Sequence, residues 1–471
     1  MSDKIGVAIL AAGLGKRMGV DIAKPLIPLM GKKLLDFSID AAADFARSHS
    51  LNAQFGVVVG HQKEKVAEHV KLHHSDKEIS FPFQKEQLGT ADALRSYFND
   101  CPWAKDTDFT LVLCADTPLL TSIELSTLWE ELKTNQAKAV AASFKTPKPT
   151  GYGRIVRFDK GFQIVEEKDA SEEQRQITEV NSGLYIFETK MILENLASID
   201  SNNKAGEFYL TDAFKKDSDV YPVCFDSETP FLGVNSPVQL SNALHQLKLR
   251  INESLQASGV LVMDKAHTYI EPTVQISAGT TIYPNCFLHG ETTIESGATV
   301  EPGTIIKDSV IRTGVLIKAY SYLENALVGE SCQVGPYARL RPGTDLGEKV
   351  KIGNFVEVKK AKLEKAVSVS HLSYVGDAEI GENVNIGCGF ITCNYDGEAK
   401  HLTKIGKDSF IGSDTQMIAP INIGERAFVA SGSTINQDVP DEGFALSRSR
   451  QVTKEKMASR FLKGKWAIKK G

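Results

Sequence analysis

Over the first half of the chain, short continuous aliphatic runs alternate with longer stretches of helical spacing. Val7-Ala8-Ile9-Leu10, Phe55-Gly56-Val57-Val58-Val59 and Leu111-Val112-Leu113-Cys114 lack the in–out alternation of a half-exposed strand. Such runs suit strands covered on both faces, as in an α/β sheet flanked by crossover helices. Segments 35–48 and 122–135 carry the helical spacing between them. The pattern predicts an α/β domain over residues 1–236.

Ser236-Pro237 then offers an N-cap with proline at the first helical position. Leu240, Leu244, Leu247, Ile251 and Leu255 follow on one helical face, which ends near Gly259. This predicts a linker helix at 237–260. Beyond it, an aliphatic residue recurs every sixth position: Ile270, Ile276, Ile282, Leu288, Ile294, Val300 and Ile306. One-residue slips reset the phase, and after an interruption at 393–404 it resumes at Ile405, Ile411, Met417, Ile423, Val429 and Ile435. Neither a 3.6-residue helix nor strict alternation produces this period. It predicts a parallel β-helix over 261–445, with three short strands per coil, one inward aliphatic per strand and roughly eight to nine coils.

With 471 residues, 42% hydrophobic and 24% charged, the chain is neither disordered nor a disulfide-stapled miniprotein. A formal charge of −5 gives no global field for nucleic acid. The charge is uneven, however: residues 454–471 carry six lysines and Arg460 against Glu455, within a basic tail at 446–471. Seven cysteines without a CxxC, and no secretory leader, read as reduced thiols of a cytoplasmic protein. No apolar run approaches the ~20 residues of a membrane span.

The first strand runs into Leu10-Ala11-Ala12-Gly13-Leu14-Gly15-Lys16-Arg17-Met18, followed by Lys24-Pro25-Leu26. Small residues between strand and helix let backbone N–H groups approach a phosphate chain. Arg17 after Gly15-Lys16 rules out a P-loop, and the missing third glycine rules out the dinucleotide fingerprint. A turn with two cations for phosphates, Arg17 and Lys24, remains. Asp116 stands at the carboxyl end of a strand, where α/β sheets bind ligands, and is a hard oxygen ligand suited to Mg²⁺.

In the second half, Arg341 and Lys359 lie 18 residues apart without a slip and so stack on adjacent coils. Two such cations repel unless an anion lies between them, which predicts a phosphate pocket. A 17-residue step brings Asn354, His371 and Cys388 into one column, which Ser413, Ser431 and Arg448 continue. A histidine in a column of small polar residues can guide an extended ligand. His69, His73 and His74 have ligand-like spacing but lie in a polar helical stretch that calls for no metal.

The first-half signature, with Glu86-Gln87-Leu88-Gly89-Thr90, Gly151-Tyr152-Gly153-Arg154, Glu166-Glu167-Lys168-Asp169 and Asn181-Ser182-Gly183, resembles sugar-nucleotide pyrophosphorylases. Taken with the hexapeptide half, the chain from about residue 5 to about 452 resembles the bacterial bifunctional N-acetylglucosamine-1-phosphate uridyltransferase / glucosamine-1-phosphate acetyltransferase family. The resemblance implies an α/β nucleotidyltransferase (Rossmann-like) domain followed by a left-handed parallel β-helix of hexapeptide repeats. It implies that Leu10, Ala11, Ala12, Gly13 and Lys24 hold UTP, with Cys114 and Ala115 beside them. Gln84, Gly89 and Thr90 would read uracil, and Gly153, Glu166 and Asn181 would grip the sugar. Asp116 and Asn235 would ligate Mg²⁺, and Arg17 would stabilise charge on the transferring phosphate.

For the second half it implies His371 as general base on glucosamine 1-phosphate, with Arg341, Lys359 and Lys400 on the phosphate and Tyr374 and Asn385 on the sugar. Cys388, Asn394, Tyr395, Ser413, Ser431 and Arg448 would follow acetyl-CoA, and Glu357 would orient the base or amine. A homotrimer and a role in peptidoglycan and lipopolysaccharide supply are also implied, with small-molecule substrates and neither nucleic acid nor membrane as partner. The chain departs from the family at Cys114-Ala115-Asp116, at Gly387-Cys388-Gly389-Phe390 and at Ser431. Phe390 is expected to narrow the coenzyme groove. That leaves open an alternative in which only the uridyltransferase works and the β-helix is a scaffold.

Overall fold

The computed structural model describes residues 2–13, 15–159, 161–214 and 219–462, with the backbone only for Lys16, Ser459 and Leu462. It divides into two compact units, Met1–Arg250 and Ile251–Gly471. The end of the basic tail, 463–471, lies outside the described residues, and so do four of its lysines. Among the described residues no helix is long and apolar enough to cross a membrane.

Among the described residues the sheet of the first unit has nine strands. Lys4–Leu10 lies between Asn52–Val58 and Phe109–Cys114, parallel to both, and its last residue pairs with Val58 and Cys114. Glu179–Glu188 runs antiparallel between Phe109–Cys114 and Ala139–Lys145. The aliphatic runs are buried because helices cover both faces: Leu34–Ser48 and Ser122–Thr134 pack on one, Thr90–Asp100 on the other. Three parallel strand ends, at Leu10, Val58 and Cys114, are thus aligned along one edge of the sheet.

His69 and His74 do not stand free in solvent. Both direct Nε2 to the buried carboxylate of Asp36, at 2.8 and 3.1 Å, and the Lys33 backbone N–H donates to it at 2.7 Å. Burial alone would raise the Asp36 pKa, but these donors hold it well below the usual carboxylate range.

In the second unit the six-residue phase becomes strands of two or three residues, merging into Lys351–Leu363 and Ser368–Ile380 where two coils pair along most of their length, and these strands pair in parallel with neighbours one coil away. The step is 18 residues where Tyr269 pairs with Phe287, and 17 where Thr293 pairs with Val310. It lengthens to 25 where Ile391 pairs with Gln416, because the segment 394–402 leaves the coil there. The inward aliphatics form one continuous core. Helix Pro237–Ala257 spans the division between the units, and its Ile251 and Leu255 pack on that core.

Phe390 corrects an expectation. It is 0% exposed and belongs to the β-helix core, so it does not narrow any outer groove. The register explains this: Tyr374 pairs with Ile391, and Ile391 with Gln416. Phe390 therefore occupies the inward corner column of Ala338, Val356, Ser373 and Thr415, all buried. Truncation to Phe390→Ala should cost about 3–5 kcal/mol through the cavity it leaves. A denaturant titration of the second unit with an unmoved midpoint would contradict this placement.

Asp36→Asn should destabilise the first unit by about 2–3 kcal/mol at pH 7, by leaving the imidazole donors without an ionic acceptor. Because the folded pKa is depressed, the wild-type advantage exists above the unfolded value and shrinks as pH falls below about 4. Urea unfolding followed by the fluorescence of Trp103 and Trp129 measures both effects.

Candidate active sites

The aligned strand ends of the first unit floor a cavity of about 380 Å³. Leu10, Ala11, Ala12 and Gly13 line it from the first strand and its turn, and Cys114, Ala115 and Asp116 from the neighbouring strand. Of the residues expected from the sequence, Lys24, Gln84, Gly89 and Thr90 also line it, while Pro25, Gln87, Ala93 and Glu207 were not anticipated. Gln87 sits inside a recognised motif, but nothing in the polar stretch around Glu207 signals its place.

Local geometry requires glycine at Gly89 in this lining and at Gly15 in the adjoining turn. Gly89 has φ 126°, and a Cβ there would collide with the Phe208 backbone. Gly15 has φ 60°, and a Cβ would stand 2.9 Å from the Lys24 Cβ, so its bareness lets Lys24 approach the turn. Gln84 is fixed by donating to the Gly89 carbonyl (3.1 Å) and to Asp92 (2.9 Å). The exposed Arg17, on the turn Lys16–Met18, is absent from the cavity lining.

The Val234 N–H donates to the Asp116 carbonyl at 2.8 Å, which brings Asn235 beside the strand end. There the Lys24 ammonium donates both to the Asp116 carboxylate and to Asn235 Oδ1, the latter at 2.6 Å. One carboxylate oxygen and one amide oxygen thus converge on a single cation. Two hard oxygens aimed at one point fit Mg²⁺, whose remaining ligands are ordinarily water and phosphate. Among the described residues no group of three His, Cys, Asp or Glu side chains could enclose a metal alone.

Gly153, Glu166 and Asn181 lie outside the lining of this cavity. Glu166 lines a second hollow with Asp169, Tyr209, Thr211 and Asp212, and Thr211 donates to it at 3.0 Å. Burial pushes its pKa up despite that bond, helped by the nearby Asp169 and Asp212. Asn181 donates its backbone N–H to the Gly153 carbonyl and its amide to the Tyr185 hydroxyl, at 2.8 and 2.6 Å. Arg154 is inside the protein, where it pairs with Glu167 at 2.7 Å and clamps the Gly151-Tyr152-Gly153 turn.

On the second unit, Asn354 pairs in register with His371, and Cys388 follows one coil on. Ser413 and Ser431 continue this exposed corner, and Arg448 donates to the Ser431 carbonyl at 2.8 Å. His371 Nδ1 lies 3.0 Å from Asn354 Oδ1. An amide oxygen can only accept, so Nδ1 carries the proton and Nε2 presents a lone pair.

Arg341 and Lys359 stack as their spacing requires, but Arg341 donates to Glu357 at 2.7 Å. The anion beside Arg341 is therefore the Glu357 carboxylate, so a ligand phosphate expected between the two cations would have to compete with it. Tyr374 follows Glu357 on the same face, whereas Asn385 pairs with Ser368 on another. The excursion 394–402 holds Asn394, bonded to Asp377 at 2.5 Å, and places the Lys400 ammonium 4.9 Å over the Tyr395 ring.

A strand edge on an α/β sheet where Lys24, Asp116 and Asn235 converge, joined to a β-helix carrying an oriented histidine, defines a two-part transferase. Residues 7–227 match the nucleotidyl transferase family model, 270–371 the GMPPB C-terminal domain, and 403–437 the hexapeptide repeat of succinyl-transferase. The Bifunctional protein GlmU of Shouchella clausii is 41% identical over 97% of this chain and 98% of its own length. Those of Trichlorobacter lovleyi and Geotalea uraniireducens are 42% and 39% identical, covering 95% and 96% of this chain and 96% and 98% of their own. The chain belongs to the family of Bifunctional protein GlmU. It is a bifunctional nucleotidyl- and acyltransferase whose second unit is a left-handed β-helix of hexapeptide repeats.

The two departures at cysteine differ sharply in environment. Burial, reinforced by Asp116, pushes the Cys114 thiol up to about 12, whereas Cys388 is exposed. At pH 8 only on the order of one Cys114 in ten thousand is thiolate, the reactive form. Iodoacetamide should therefore label Cys388 and leave Cys114 unmodified, as read by peptide mass spectrometry. Early labelling of Cys114, which lines the cavity but is half-buried, would contradict its raised pKa.

Proposed function

We propose that the first unit transfers the uridylyl group of UTP to N-acetylglucosamine 1-phosphate, and that the second acetylates glucosamine 1-phosphate with acetyl-CoA. The observation that carries the first half is the convergence of Lys24, Asp116 and Asn235 at the mouth of the cavity. The sugar phosphate oxygen attacks the α-phosphorus in line, a P–O bond breaks, and pyrophosphate leaves. Lys24, with Arg17, offsets charge on the phosphates, and the Ala11–Gly13 turn positions them without covalent protein chemistry. Asp116 and Asn235 would hold Mg²⁺, which supplies further charge neutralisation when bound. Gln84, Gly89 and Thr90 face the base, and Glu166, Gly153 and Asn181 the N-acetyl sugar.

The Nδ1-protonated His371 carries the second half. Its Nε2 takes a proton from the sugar amine as nitrogen attacks the thioester carbonyl, and the C–S bond breaks to release coenzyme A. Cys388, Ser413, Ser431 and Arg448 form the exposed track for the coenzyme, with Asn394 and Tyr395 from the excursion. Arg341, Lys359 and Lys400 take the sugar phosphate, and Tyr374 and Asn385 the ring. Because Asn385 and Tyr374 stand on different faces of one coil stack, a site using both is best completed between copies, which supports a homotrimer. The same reading divides the chain at 1–236, 237–260, 261–445 and 446–471 and has it act in the cytoplasm.

Each half-reaction is testable alone. Pyrophosphate release from UTP and N-acetylglucosamine 1-phosphate should fall about 10²-fold or more in Asp116→Asn, with thiol release from acetyl-CoA intact. His371→Ala should show the reverse, losing about 10²–10⁴ of acetyl transfer. Normal transfer by His371→Ala would remove it as the base, and a wild-type protein releasing neither product would end the proposal.

A further inference from the structure

A buried cation stands behind the sugar-side residues of the first unit, and neither half-reaction uses it. Among the described residues Arg154 is the largest fully buried side chain, at 1% exposure. A guanidinium stays charged inside a protein, so this placement is costly unless its donors are bonded. Its bonds join three segments. It donates to the Tyr152 carbonyl, to the Arg175 carbonyl at 3.4 Å from both Nε and Nη2, and to Glu167 at 2.7 Å. Glu167 in turn accepts the Gly151 N–H at 3.3 Å. The two ends of one ion pair therefore hold backbone groups of two successive residues in a single turn, and Gly153 follows directly.

The same pair ties that turn to the segment carrying Glu166. Gly153 lies so close to the Glu166 carboxylate that a Cβ there would stand 3.5 Å from both of its oxygens. Asn181 closes the set by donating its N–H to the Gly153 carbonyl at 2.8 Å. Neither Arg154 nor Glu167 lines the nucleotide cavity or the Glu166 hollow. Their hold on the three sugar-side residues runs through the backbone.

We propose that Arg154 and Glu167 are positioning residues that set the affinity of the first unit for the N-acetyl sugar part of its substrate without touching it. This rests on the uridylyl-transfer reading. A sugar is gripped by neutral hydrogen bonds, which weaken steeply when misaligned. A shift of the turn on the order of 0.5 Å is enough to loosen that grip. The nucleotide side is built from other segments, 10–13, 84–90 and 114–116. None of these shares a hydrogen bond with Arg154 or Glu167 among the described residues, so UTP binding is insulated from the pair.

The test begins with Glu167→Ala in the full chain, at the partly exposed end of the pair, where folding is least at risk. Titration calorimetry should show UDP-N-acetylglucosamine bound about tenfold more weakly while the Kd for UDP stays unchanged, since that comparison isolates the sugar's share. The KM for N-acetylglucosamine 1-phosphate should rise by a similar factor, with kcat and the KM for UTP held within about threefold. Glu167→Gln should recover most of the affinity, because its amide oxygen still accepts from Arg154 and Gly151. Arg154→Lys should not, because one ammonium cannot span the acceptors that the planar fork reaches. A lower kcat with both KM values unchanged would mean only fewer folded molecules and would overturn the proposal. Equal weakening of UDP and UDP-N-acetylglucosamine would also overturn it, by placing the effect on the whole cavity. If the wild type releases no pyrophosphate, the uridylyl-transfer reading fails, while the two Kd values still decide whether the pair governs the sugar.

Discussion

Parallel strand pairing is the constraint on which both units rest. In the first unit it aligns the ends of Lys4–Leu10, Asn52–Val58 and Phe109–Cys114, so that Leu10 and Cys114 are neighbours although 104 residues separate them in sequence. In the second it turns a spacing of 17 or 18 residues into a contact across one ladder step. Parallel ladders need both faces covered or a closed stack, which explains why helices flank the first sheet and why the second closes on its own aliphatic core. Slipping any coil by one residue would send its inward aliphatic to solvent, so the hydrophobic phase fixes the outer columns as firmly as the inner ones.

Charge is managed locally within that frame. Lys24 is held by Asp116 and Asn235, and Arg341 by Glu357, so these two proposed phosphate-binding cations already have acceptors. An anionic substrate must compete with these acceptors, and it gains most where the protein has left cations uncompensated. A formal charge of −5 therefore describes neither site. Desolvation works in the same direction at the sugar hollow, where burial raises Glu166 and makes a neutral, hydrogen-bonding ligand easier to receive than a second anion.

The architecture was legible because its signals are periodic. Six-residue spacing determined the coil, and from it the columns Asn354–His371–Cys388 and Arg341–Lys359 followed by counting. Side-chain partners were not legible, since register gives the backbone neighbour but not the rotamer. Arg341 and Glu357 are on adjacent coils, yet nothing in their spacing says that the guanidinium turns to that carboxylate rather than toward the side of Lys359. The same limit applies in the first unit, where the motif named Lys24 and Asp116 separately and only the fold joins them. Glu207 was invisible because its polar stretch has no period.

Cys388 and Phe390 show how a coil sorts neighbouring substitutions. They are two residues apart and would share a face in an extended strand, where side chains alternate with period two. Gly389 lies between them with φ 79°, and this left-handed corner breaks the alternation, leaving Cys388 outside and Phe390 inside. The larger departure is thus absorbed where bulk fills a core column of smaller residues. The smaller one is displayed on the proposed coenzyme track, where it adds little volume. Sequence comparison alone weighs both as damage to one groove. The turn geometry separates them, and what remains on the track beside the oriented His371 is a single exposed thiol. A scaffold-only β-helix would have no need of the Asn354–His371 hydrogen bond, which fixes an imidazole at an exposed corner and contributes nothing to the core.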